Sequence, residues 1–235
     1  MNLFSYLAQN LAVVLQTAGI HALLSVEGTL LGAVVAIPFG LWAYRRPSLR
    51  RVASAVAETL QTIPSLALLV ILMMWFGIGN TTLVMALFLY SLMPMLHNTV
   101  EGLLSVDAGL VETAKGLGMS NGQVLLRVQI PLAAPIILTG FRVALVTSIG
   151  IATVGVFIGA TGLGSIIYGG MQVQSAPEIF AGALPAALMA IAFDGLLALL
   201  AAGTRRRRPR RSRPSRACAF SESVKGDAII APTQH

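Results

Sequence analysis

Apolar residues run along this chain in long blocks, at 20–44, 56–76, 82–100, 132–160 and 180–202, without the period-two alternation of apolar and polar residues that a membrane barrel's strands require. A helix crosses a hydrocarbon core about 30 Å thick with roughly 20 apolar residues, so each block is long enough for one crossing. The pattern predicts an all-α integral membrane protein with about five transmembrane helices. Between the first two blocks lies a basic turn, Arg45-Arg46-Pro47-Ser48-Leu49-Arg50-Arg51. Gly77-Ile78-Gly79-Asn80 makes a tight turn after the second, and a longer polar stretch, about 101–130, follows the third. A Gly-rich loop at 161–177 joins the last two and ends in Ala176-Pro177-Glu178, a helix start. Leu3, Phe4, Leu7, Leu11, Val14 and Leu15 recur at helical spacing among polar residues. Residues 1–19 are therefore expected as a helix along the outer membrane surface, the alternative being an extension of the first spanning helix.

Composition sharpens the class. Hydrophobic residues make up 56% of the 235 and charged residues 11%, against about 25% charged in soluble domains. The first residues carry no Lys or Arg and no small-residue cleavage site, so no cleaved signal is expected. The lone cysteine, Cys218, sits in the polar tail, which leaves disulfides no part in the fold. Every Lys and Arg falls in the first loop, in the stretch leading into the early fourth helix, or in the C-terminal tail. Five alternating crossings bring these regions to one face, which the positive-inside rule makes cytoplasmic, with the N-terminus outside and the tail inside. The tail opens Arg205-Arg206-Arg207-Arg208-Pro209-Arg210-Arg211 and lacks an apolar pattern. It reads as a stop-transfer anchor attracted to anionic membrane lipid, not as a nucleic-acid binder. The expected organisation is 1–19 as an extracytoplasmic interfacial helix, 20–203 as the transmembrane body with a loop at about 101–131, and 204–235 as a basic cytoplasmic tail without a packed fold.

The loop carries the chemistry. It reads Glu112-Thr113-Ala114-Lys115-Gly116-Leu117-Gly118, then nine residues, then Val128-Gln129-Ile130-Pro131. Glu-Thr-Ala-Lys is good helix sequence, and Gly118 ends that helix by adopting positive φ. Ser120 caps a second helix running through Gln123 to Arg127, and Pro131 sits where the next span begins. The result is helix, turn, helix across one mouth of the bundle, a shape suited to docking in a groove of a soluble partner. No Gly-x-x-x-x-Gly-Lys-Ser/Thr loop occurs, so any nucleotide binds elsewhere.

The stretch 112–131 resembles the loop shared by permeases of ATP-binding-cassette importers, whose pattern is Glu-Ala-Ala, three residues, Gly, nine residues, Ile-x-Leu-Pro. The spacing matches throughout, with Thr113 for the first Ala and conservative changes at Val128 and Ile130. Gln61-Thr62-Ile63-Pro64-Ser65-Leu66-Ala67-Leu68-Leu69 is similar to the osmoprotectant permeases that serve glycine betaine, choline or carnitine. So are Ser91-Leu92-Met93-Pro94-Met95-Leu96-His97-Asn98-Thr99, Ile149–Thr153 and Phe157–Gly164, although His97 stands where those permeases usually have Arg. The resemblance covers roughly 21–200. It implies a permease-like bundle whose coupling loop, with Glu112, Thr113, Ala114 and Gly118 in the lead, lies in the cleft of a separate ATPase subunit. It also implies a second permease chain, in a homodimer or heterodimer, and an extracytoplasmic substrate-binding protein. This chain would bind no cofactor, ATP being held by the partner, and would be a transporter subunit without catalytic chemistry. An importer for another small polar solute, such as an amino acid of the methionine type, fits the shared loop as well.

Ionisable residues inside spans are functional candidates, since each is costly to insert. Asp194 in the fifth block and Glu27 in the first either line a pathway, pair with another helix or make hydrogen-bonded packing contacts. Glu58 and Arg142 form a candidate pair, although the simpler expectation for Arg142 is that it snorkels to the interface. His21 and His97 lack metal spacing, and no nucleophile constellation supports an intramembrane hydrolase. A non-transporting membrane scaffold with a basic tail is the remaining rival. The glycines Gly159, Gly162, Gly164, Gly169 and Gly170 suit either a re-entrant element at the outer gate or close helix packing.

Overall fold

The computed structural model describes residues 3–205; the remainder of the Arg-rich tail, with its expected lipid contact, lies outside them. Helix α1, Leu3–Ala43, runs unbroken for 41 residues, about 60 Å. The boundary expected at residue 19 is thus no break. Residues 3–19 continue the same helix, because a helical-period apolar pattern without an internal Pro offers nothing to stop it.

The block 56–76 is not one straight span. It is divided between α2, Pro47–Thr62, and α3, Ser65–Phe76, which bend by 99° at Ile63-Pro64. Proline lacks an N–H and pushes the residue before it out of the helical region, and Ile63 is extended at φ −70°, ψ 126°. The carbonyl freed by this break accepts a hydrogen bond of 2.5 Å from Tyr90 Oη, while Gln61 Nε2 donates to the Tyr90 carbonyl at 3.2 Å. The bend is therefore pinned to the next helix.

Helix α4, Asn80–Leu104, packs between α1 and the later helix α7, Ile130–Ala152. Lipid tails are as apolar as leucine, so helices in a bilayer associate through close packing and hydrogen bonds, and small residues permit the approach. Gly28 and Gly32 of α1 do this: a Cβ on Gly28 would fall 2.6 Å from Leu87 Cβ, and one on Gly32 would collide with Ser91 Oγ. Between α4 and α7 the chain forms a hook of α5, Ala108–Gly116, and the single-turn α6, Asn121–Val124. A π-helical segment, Leu125–Gln129, then leads without a break into α7. Pro131 explains this irregularity, since it offers no donor to the Arg127 carbonyl. After α7 a 3₁₀ stretch, Thr153–Ile158, leads to α8, Leu163–Gln172, and finally α9, Ala176–Arg205. The Gly-rich segment expected as a loop thus contains a ten-residue helix packed on α9.

Four helical stretches, Leu3–Ala43, Asn80–Leu104, Asn121–Ile158 and Ala176–Ala201, are long and apolar enough to cross a membrane, and the bent α2–α3 pair makes a fifth if its two halves count as one broken span. Connections gather at two ends. Gly79 N–H donates to the Ile158 carbonyl at 2.9 Å and Thr161 N–H to Asn80 Oδ1 at 2.8 Å, joining the uncharged turn to the α8 region. The basic corner after α1 is joined to the hook at the other end, through Arg45 and Asn121.

Candidate functional site

The hook is built by local signals. Asp107 caps α5, accepting from Gly109 N–H at 2.8 Å. Gly118, at φ +85°, closes α5 in the left-handed conformation: its N–H donates to Lys115 O at 2.9 Å, and Met119 N–H reaches back to Ala114 O at 3.2 Å. Ser120 opens α6 with a reciprocal capping box, its N–H donating to Gln123 Oε1 at 2.9 Å while Ser120 Oγ accepts from Gln123 N–H at 3.4 Å. Of the residues singled out from the sequence, Ala114 is buried and so fixes the inner face of α5, while Glu112, Thr113 and Gly118 are exposed. Thr113 Oγ1 donates to the Gly109 carbonyl at 2.7 Å. Val128 and Ile130 are half-buried and Pro131 is exposed, all three at the root of α7. Leu110 and Leu117 are 51% and 79% exposed on the hook, apolar surface that none of the described residues covers.

A second feature is a cleft of about 410 Å³ between the α2–α3 bend, α4 and α7. Gln61, Tyr90, His97, Asn98 and Thr147 supply its polar lining, and Met93 and Val143 are among its apolar walls. Gln61 Nε2 is committed to the Tyr90 carbonyl and Asn98 Nδ2 to the Pro94 carbonyl, at 3.2 and 2.8 Å. The donor end of each amide is thus turned to the backbone of α4. His97, singled out only as a departure from a pattern, stands on this wall.

Asp194 pairs with another helix, one of the roles open to it, but Arg142 departs from expectation. Arg142 and Asp194 form a bidentate ion pair between α7 and α9: Nε meets Oδ1, and Nη2 donates to Oδ2 at 2.6 Å. This replaces both the Glu58–Arg142 pairing and the snorkelling arginine, because α9 brings a carboxylate within reach across 52 residues of sequence, a distance no local pattern encodes. Glu58 and Glu27 are exposed, and among the described residues neither joins an ion pair.

At the end opposite the hook, His21 is 1% exposed and uses both ring nitrogens. Nδ1 accepts from Leu163 N–H at 3.3 Å, and Nε2 lies 3.0 Å from the Ile149 carbonyl. It ties α1 to the end of α7 and to the start of α8. Below it, Thr29 Oγ1 lies 3.0 Å from Ser148 Oγ. A polar i, i+4, i+8 series, His21, Ser25 and Thr29, was visible in the sequence as the signal for this buried polar seam.

The model of the binding-protein-dependent transport system inner membrane component family matches residues 28–208. The carnitine transport permease protein OpuCD of Listeria monocytogenes is 43% identical over 196 residues, covering 83% of this chain and 88% of the relative. The choline transport system permease protein OpuBD of Bacillus subtilis is 42% identical over 199 residues, 84% of this chain and 88% of that one. The glycine betaine/carnitine/choline transport system permease protein OpuCD of Bacillus subtilis is 44% identical over 191 residues, 81% and 83% of the two chains. In fold, the chain is similar to the inward-facing MetNI methionine ABC transporter, with a TM-score of 0.76 at 20% identity over 83% of this chain and 98% of that one. The chain belongs to the binding-protein-dependent transport system inner membrane components, as a permease subunit of an ATP-binding-cassette importer.

Proposed function

We propose that this permease imports quaternary-ammonium osmoprotectants, the class of glycine betaine, choline and carnitine, and that its hook docks in a separate ATPase subunit. The observation that carries the reading is the hook itself. Its helix–turn–helix, with Leu110, Glu112 and Leu117 exposed, stands on the end that carries the basic corner. That end is cytoplasmic by the positive-inside rule, so the turn at Gly77–Asn80 and the α8 region face outward and the N-terminus lies outside. Two copies of the chain, or this chain and a related one, enclose the pathway. A binding protein delivers solute at the α8 end. The permease body runs from about residue 20 to 203.

The substrate class draws support from the relatives' names and from the cleft's chemistry. The uncharged polar lining of Gln61, Asn98 and Thr147, with the aromatic Tyr90, suits a cation or zwitterion whose positive end needs no full counter-charge. No carboxylate lines the cleft to trap such a solute, as suits a path that must release it. The test is uptake of labelled glycine betaine, choline and carnitine by cells carrying the permease with its companion ATPase and binding protein. Saturable uptake is expected for at least one. Glu112→Arg reverses charge in the docking helix and is expected to lower uptake by about tenfold or more, since a mismatched interfacial charge costs several kcal/mol. Uptake of none of the three by an assembled complex would overturn the substrate assignment. Full uptake by Glu112→Arg would overturn the docking assignment.

A further inference from the structure

At the hook end, α6 and the π segment form a nine-residue unit, 121–129, which opens the continuous helical stretch Asn121–Ile158. Both ends of this unit are held by the same two residues at the end of α1. Tyr44 Oη donates to Gln129 Oε1 at 2.7 Å, and Gln129 is 7% exposed. Arg45 Nε donates to Tyr44 Oη at 2.7 Å, and its Nη2 donates to the Asn121 carbonyl at 3.0 Å. The guanidinium carbon also sits 5.3 Å from the centre of the Tyr44 ring, which holds the arginine in line with both bonds. The tyrosine hydroxyl thus donates to one end of the unit while accepting from the arginine that grips the other.

Mechanically this matters because of what lies on either side. Residues 108–118 form the exposed arm of the hook, on which a docked subunit would act. Helix α1 meets α4 through glycines too tightly placed to admit a Cβ at Gly28 or Gly32, so the two helices move as one body. The only described side-chain hydrogen bonds from α6 and the π segment to the α1 end pass through Tyr44 and Arg45. We infer that Tyr44 and Arg45 are positioning residues for coupling: they clamp both ends of segment 121–129 to α1, so that displacement of the hook is passed to the α1–α4 body. The inference rests on the importer reading above.

The test uses the full complex of permease, ATPase and binding protein in proteoliposomes, with solute uptake and ATP hydrolysis measured together. Tyr44→Phe keeps the ring and removes the hydroxyl. Arg45→Gln removes the fork, and Gln129→Leu breaks the same bond from the other side. Each variant is expected to retain ATPase subunits and hydrolysis, while solute moved per ATP falls about fivefold or more, the low end of coupling between separated sites. Tyr44→Phe combined with Gln129→Leu is expected to fall no further than Tyr44→Phe alone, because the bond between them is already gone. An unchanged ratio of solute to ATP in Tyr44→Phe and Gln129→Leu, whatever happens to melting temperature, would overturn the inference. Failure of the unmodified complex to couple hydrolysis to uptake would instead remove the importer reading, and the inference with it.

Discussion

Arg142 and Asp194 face each other from α7 and α9, each about a third exposed on the surface of the single chain. Two opposite charges held by two parallel hydrogen bonds can share a span that neither would enter cheaply alone, and removing one member strands the other. Asp194→Asn is therefore expected to lower the melting temperature of the purified complex by several degrees. Adding Arg142→Met to that variant is expected to recover part of the loss. A thermal shift series on the two proteins and the parent checks both statements, and equal stability of parent and Asp194→Asn would discard the pair as a stabilising contact. His21 works by a different logic. With Leu163 N–H on Nδ1, the Nε2 nitrogen carries the proton that the Ile149 carbonyl accepts, so a neutral ring satisfies three elements at once.

Among the elements, the irregular ones do the positioning. Pro64 breaks the second span and turns Gln61 toward α4, which opens the cleft. The α8 helix is seated by contact: a Cβ on Gly164 would fall 2.8 Å from the Thr153 carbonyl carbon and closer still to its oxygen. That neighbour is backbone and cannot swing aside. Gly164→Ala is expected to cost about 1–3 kcal/mol, the range for overpacking, and to displace α8 from the 3₁₀ stretch. Gly150→Ala is the control: no atom lies within 4 Å of the place its methyl group would take, and alanine is the better helix former by about 0.5–1 kcal/mol. Thermal unfolding of the two variants should move in opposite directions. Equal losses would mean that the α8 contact does not limit stability.

At the scale of the whole molecule, the two sets of connections lie at opposite ends of the bundle, and sidedness becomes a single binary question. With Cys218 replaced by Ser, a membrane-impermeant maleimide is expected to label Gln174→Cys in intact cells and Ser48→Cys only after lysis. Both residues are exposed, at the α8 end and the basic corner respectively, and the opposite pattern would invert the proposed orientation. Much of this architecture was legible in the chain. Apolar block length sets the number of crossings, because a bilayer of given thickness demands it. The turn of the hook was legible at Gly118 and Ser120, since capping is local chemistry, whereas the Asp107 cap and the π segment that replaces the end of the second helix were not read. The 99° bend was signalled only by Pro64, and the proline alone does not say whether a helix kinks or turns a corner; the Tyr90 hydroxyl on the Ile63 carbonyl decides that. Arg142 meeting Asp194, His21 meeting Leu163 and Tyr44 meeting Gln129 are separated by 52, 142 and 85 residues. Periodicity reports which face of a helix is apolar, but carries no record of which helix lies opposite. By itself, then, the sequence determined an all-α permease bundle of four to five crossings with a capped hook; the tertiary structure alone decided which polar groups meet, because that depends on packing between helices distant in the chain.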